Sequence, residues 1–94
     1  MKVIWTPEAE QDRAHIWGTI VAENPRAAEK MDRLFSDAAA RLAGQPFMGQ
    51  AGKISGTREW IPHKSYRLVY EVSADVLWIL ALVHTSRLWP SVAE

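Results

Sequence analysis

Residues 65–84, SYRLVYEVSADVLWILALVH, decide the fold. Tyr66, Leu68, Tyr70 and Val72 fall on one parity, and Ser65, Arg67, Val69 and Glu71 on the other. That is the period of two required of a strand with one face covered and one open. After the short SAD connection, VLWILALVH is apolar on both parities, as expected of a central strand covered on both sides or nearly so. A connection this short permits only an antiparallel pair. Upstream, TREWI reads as another strand and PHK as the turn that follows it, so the second half of the chain is three consecutive antiparallel strands.

The first half is helical. KVIW, residues 2–5, is a short β-prone run that leads into TPEAE, where Thr6 can cap a helix, Pro7 suits its first position, and Glu8 and Glu10 complement the dipole. Ala9, Ile16 and Ile20 form its apolar stripe, with Trp17 and Val21 beside it, and the helix is expected to end near AEN. Asn24 and Pro25 start a second helix, which carries Ala27, Met31, Leu34, Phe35, Ala38 and Leu42 at helical spacing until Gly44. The pairs Glu29 with Arg33 and Asp37 with Arg41 mark its solvated face. The segment QPFMGQAGKISG, with three glycines and a proline, reads as a loop. The sum is an α+β domain spanning residues 1–94 in the order β-α-α-β-β-β, an antiparallel helical hairpin on one face of a small, mostly antiparallel sheet.

Composition narrows the function. Eleven basic and eleven acidic residues cancel, which gives no argument for nucleic-acid binding, and no helix carries a basic stripe. The chain has no cysteine, and its three histidines lack ligand spacing, so neither a metal nor another cofactor is expected. No apolar run is long enough to span a bilayer and the N-terminus turns acidic early, so a cytoplasmic protein is expected. There is a local basic excess from Lys53 to Tyr70, where Lys53, Arg58, Lys64 and Arg67 face Glu59 alone.

Arg67 projects from the open side of its strand. It can pair with Glu71 on the same face or with Glu59 across the hairpin, the ordinary fate of a strand cation. If the register brings Arg58 beside it, the two guanidiniums instead form a fork suited to phosphate or to a partner's carboxylates. His84 ends the last strand, where it can act as acid or base or simply hold the C-terminal segment by hydrogen bonds. Trp60 and Trp89 flank the basic residues and can stack on a base or anchor a partner. Ser86 has no nucleophile elbow, and GQAGKISG has neither the P-loop order nor a preceding strand.

In order along the chain, VIWTPEAEQD, RLAGQPFMGQ, GTREW, SYRLVYEV and ILALVHTSRLWP resemble the RelE/ParE superfamily of bacterial type II toxins. The resemblance implies two helices on one face of a small sheet, a cytoplasmic growth inhibitor, and a cognate antitoxin as hetero-oligomeric partner; the balanced charge and the lack of a basic stripe add the expectation of no direct operator binding by the toxin alone. RelE-like members cut mRNA on the ribosome without a metal; in that case Arg67, His84 and Arg58 are the candidate catalytic residues. ParE-like members act on DNA gyrase without bond breaking of their own; in that case Arg58, Arg67, Arg87 and Trp89 are the candidate target-binding residues. SYRLVYEV is similar to the RelE strand. No tyrosine follows Tyr70, however, whereas the ending VHTSRLWP resembles the His-x-x-Arg-x-aromatic-Pro ending of ParE-like proteins, which favours that branch. A family member that binds its antitoxin without being toxic is a further alternative.

Overall fold

Lys2–Trp5 form β1 and pass directly into α1, Pro7–Val21, because Thr6 caps it: the Thr6 hydroxyl accepts from the Ala9 N–H at 3.2 Å, and Pro7 fills the first turn, where a missing N–H costs nothing. The computed structural model describes residues 1–90. Asn24 repeats the device for α2, Pro25–Gly44, accepting from Ala27 N at 3.1 Å. The two helices are tied by Arg13, whose guanidinium meets the Asp32 carboxylate at 2.6 and 3.1 Å and lies over the Trp5 ring, 4.6 Å from its centroid. No described helix is long and apolar enough to cross a membrane.

The sheet has five strands in the order β1-β5-β4-β3-β2. Besides β1, these are β2 (Gln50–Ala51), β3 (Arg58–His63), β4 (Tyr66–Ser73) and β5 (Val76–His84). The expected three-strand meander is present, with β1 added in parallel against β5, Val3 opposite Leu77 and Trp5 opposite Ile79. Two details differ from the expectation. The segment expected to be loop contains the two-residue strand β2, which pairs with β3 through Gln50 with Glu59 and Ala51 with Arg58. β3 also runs on through Pro62 to His63, so the turn is Lys64–Ser65 rather than PHK.

The helices cover the parity carrying Leu68 and Tyr70. Ala9, Ile16, Phe35, Ala39 and Leu42 from the helices meet Leu68, Tyr70, Leu77, Ile79 and Leu82 from the sheet in one core. Its first-helix contribution is narrower than the stripe anticipates, for Trp17 stays at the surface and Ile20 only flanks the core. The ladder between β4 and β5 contains one irregularity: Tyr70 faces Ile79 but Val69 faces Ala81, leaving Leu80 as an extra residue in β5. Such a bulge exchanges the faces of every residue beyond it.

Candidate functional site

Arg67 lies on the face away from the helices, beside Val83 of β5. Its Nε is 3.0 Å from Glu59 Oε1, and their side chains are only 17 and 4 % exposed. Glu59 reaches it from β3, where it stands opposite Val69, one step along the same face. The other carboxylate oxygen, Oε2, accepts from Lys53 N at 3.0 Å, so the pair also fastens the β2–β3 connection. Of the two partners considered for Arg67, the structure selects Glu59.

Arg58 stands opposite Tyr70 and therefore belongs to the helix-facing side. The register thus separates the two guanidiniums. Arg58 donates from Nη1 to the Gly49 carbonyl at 2.7 Å and lies over the Phe47 ring, 4.8 Å from its centroid. Tyr70 holds the connection between α2 and β2 from beneath: its buried hydroxyl donates to Pro46 O at 2.7 Å and accepts from Gly49 N at 3.0 Å. Burial raises the Tyr70 pKa above the ordinary value of 10.0, while the Gly49 N–H bond and the Arg58 charge oppose the rise. A Cβ on Gly49 would lie 2.6 Å from the Tyr70 hydroxyl oxygen, so only glycine allows this approach.

His84 stands opposite Tyr66, and thus also on the helix side of the sheet, on the face opposite Arg67. Its ring packs edge-on against Tyr66 at 5.3 Å between centroids, and Tyr66 packs edge-on against Phe35 at 5.5 Å. Its Nδ1 accepts from Ser86 N at 3.1 Å, with Ser86 Oγ at 2.7 Å. That main-chain donor assigns Nδ1 as the acceptor, so the neutral ring carries its proton on Nε2. His63 makes the same bond to Ser65 N, at 3.1 Å, which places it at a strand end rather than free in a turn.

His84 opens onto a groove of about 530 Å³ between α1, the last residues of β5 and the segment after them. Its walls include Asp12, His15 and Thr19 from α1, Tyr66 and His84 from the sheet, and Arg87, Leu88 and Trp89 from the C-terminal segment. Arg87 is exposed and forms no ion pair among the described residues. Trp89 Nε1 is buried with no hydrogen-bond partner among the described residues. Of the residues singled out from sequence, the structure therefore gathers His84, Arg87 and Trp89 at one groove and places Arg67 and Arg58 elsewhere, on opposite faces. The α1 wall of the groove is absent from the candidates read from sequence. Asp12, whose Oδ2 accepts from Leu82 N at 3.1 Å, is 70 positions away from its partner, and no local pattern marks such a contact.

The family model described as "ParE toxin of type II toxin-antitoxin system, parDE" matches residues 3–89. A Sinorhizobium fredii protein named "Putative toxin Y4kP" is 32 % identical over 92 residues, 97 % of this chain and 95 % of that protein. In three dimensions the chain is similar to the "Chromosomal ParDE TA system from P. aeruginosa", with a TM-score of 0.78 at 19 % identity over 89 % of this chain and 95 % of that one. It is also similar to the "YoeB/ParE toxin from Agrobacterium tumefaciens", with a TM-score of 0.63 at 21 % identity over 89 and 98 % of the two chains. Both structural likenesses bear on the fold.

Proposed function

The chain belongs to the ParE toxin family and is a ParE-like toxin of a type II toxin–antitoxin system, a family that implies a cognate antitoxin; from this we propose that it inhibits growth by binding DNA gyrase, with no bond breaking of its own, until the antitoxin covers it. The observation that carries the choice of target is the separation of Arg67 from His84. Cleaving RNA through its 2′-hydroxyl needs a base, a proton donor for the leaving oxygen and positive charge, all converging on one phosphate. Here the candidate acid or base lies on one face of the sheet and Arg67 on the other. Arg67 is, moreover, already neutralised by a nearly buried carboxylate that a phosphate would have to displace. Arg58 shares the helix side with His84, but its guanidinium is occupied by Gly49 O and Phe47.

The same geometry suits binding. Arg87, Leu88 and Trp89 form a cationic and apolar rim in which Leu88 is 64 % exposed, the mixture that anchors protein contacts. Arg58 beside the exposed Phe47 offers a second such contact on the far strand pair. Purified toxin added to gyrase and relaxed plasmid is expected to suppress supercoiling or trap cleaved DNA, and the antitoxin to restore activity. Unimpaired supercoiling at large toxin excess, together with codon-boundary cuts in mRNA from induced cells, would transfer the chain to the RelE-like mode. Harmless expression without the antitoxin would leave an antitoxin-binding protein only.

A further inference from the structure

β1 covers β5 only as far as Ile79, whose carbonyl accepts from Thr6 N at 3.0 Å. Beyond the Leu80 bulge this edge of β5 faces the groove, and each of its main-chain groups can be traced. Leu82 N points away from β4, since it donates to Asp12 Oδ2. In an antiparallel ladder the N–H and C=O of one residue point the same way and alternate residues share that direction, so Leu82 O, His84 N and His84 O also face the groove. The bond from Thr85 N to Ser65 O, directed toward β4, agrees with this phase. His84 O accepts from Arg87 N at 2.9 Å. Leu82 O and His84 N are left with no partner among the described residues.

That remaining pair has a direction. In a parallel ladder one incoming residue donates to the carbonyl before its opposite number and accepts from the N–H after it, whereas an antiparallel residue uses both groups of a single residue. Leu82 O and His84 N flank Val83 and so match the parallel pattern. Antiparallel entry would need Leu82 N or His84 O, both taken. The rim supplies charge as well: Arg87 is exposed with no carboxylate on it among the described residues, and the nearby Asp12 carboxylate is engaged by Leu82 N–H. Trp89 Nε1, on the same rim, is buried with no acceptor among the described residues.

We propose that this groove receives an extended acidic segment of the antitoxin, one residue of which bridges Leu82 O and His84 N in parallel with β5 while a neighbouring carboxylate meets Arg87. This rests on the antitoxin reading above and deepens it, because an occupant here covers the Arg87–Trp89 rim assigned to the target. The bridge adds to the sheet in the same sense as β1, in the manner of strand addition at a free edge.

The test uses the full toxin and the product of the reading frame encoded beside it. Amide exchange is measured for the free toxin and for the co-purified complex. His84 N–H is expected to exchange quickly in the free toxin and to be protected in the complex, while Val83 N–H, inside the β4 ladder, is slow in both. His84→Pro deletes the donor, and His84→Ala keeps it while removing the ring. Because His84 N–H makes no bond to β4, proline is compatible with the edge. Proline is expected to weaken binding about tenfold relative to alanine, the effect of one lost hydrogen bond. A complex in which His84 N–H exchanges as fast as in the free toxin overturns the docking proposal and leaves the antitoxin reading standing. Protection that follows toxin concentration without the second protein assigns the edge to another copy of this chain and also overturns it. If the wild-type chain captures nothing from that reading frame, both proposals fall.

Discussion

Replacing Arg67 with methionine strands the Glu59 carboxylate, which is 4 % exposed and keeps, among the described residues, only the Lys53 N–H as a donor. At a separation of 3.0 Å and an effective dielectric near 20, the gross attraction in the pair is about 5 kcal/mol. Desolvation of two nearly buried ions offsets most of this, so the pair contributes little net, yet removal of one partner costs about 3–5 kcal/mol because the other charge stays buried. A domain of this size has a total stability of about 5–14 kcal/mol, so Arg67→Met alone is expected to remove a large part of it. Glu59→Leu is expected to cost a similar amount, since it leaves Arg67 in a site with 17 % side-chain exposure. The double substitution removes both charges and is expected to be no less stable than the poorer single variant. Urea titrations of all four proteins measure the cycle. Single losses under about 1 kcal/mol that simply add would refute the reasoning, since uncoupled sites give additive costs. The cycle also governs how toxicity data are read: a non-toxic Arg67 variant is evidence about the target only if it remains folded.

Three other variants probe what positions the site. Tyr70→Phe leaves Gly49 N and Pro46 O without their partner and is expected to cost about 1–3 kcal/mol in chemical denaturation. The Tyr70 pKa lies above its unfolded value of 10.0, so its contribution is full below pH 10 and is lost as pH rises through the folded value; Tyr70→Phe should remove that alkaline loss from a stability–pH profile. Gly49→Ala would press a methyl within 2.8 Å of Glu59 O as well as against Tyr70, and a loss of about 1–3 kcal/mol is expected in thermal unfolding. Ala74 begins the β4–β5 turn at φ 53°, so Ala74→Gly is expected to stabilise the protein by up to about 1 kcal/mol, read as a raised Tm.

What could be read from sequence was whatever chemistry is local. Thr6 and Asn24 announce their helices because a cap satisfies donors within three residues of itself. The strands of the meander are legible from alternation and short turns, and the Arg67–Glu59 pair was one of two reachable on a single parity. The parallel seat of β1 on β5 carries no local signal, since its partner lies across the whole helical hairpin. β2, two residues long, is too short to have a period. The side on which Arg58 falls follows from the β3–β4 register, which the sequence Thr57–Ser65 does not specify when β3 itself contains an irregularity between Trp60 and His63.

The largest consequence comes from the residue least visible in the sequence. Near the turn the β4–β5 ladder pairs Ser73 with Val76 and Tyr70 with Ile79. Continued without interruption, that register would set Arg67 opposite Leu82 and His84 opposite Ser65, on the same face as Arg67, much as a catalytic pair would require. Leu80 inserts one residue, and Arg67 instead meets Val83 while His84 meets Tyr66. VLWILALVH is apolar on both parities, so it contains no alternation whose break would betray the bulge. The insertion lies where β1 ends and α1 begins, with the Leu80 carbonyl facing the Thr6 hydroxyl at 3.4 Å. It also keeps Leu82 in the core and turns the main chain at Leu82 and His84 toward the groove. One bulge thus separates the residues a ribonuclease would need together and, by the same shift, exposes the edge assigned here to the antitoxin. Both proposals consequently depend on the register at Leu80, and a nuclear Overhauser contact between His84 and Arg67 side-chain protons, in place of the expected one between His84 and Tyr66, would remove the basis of each.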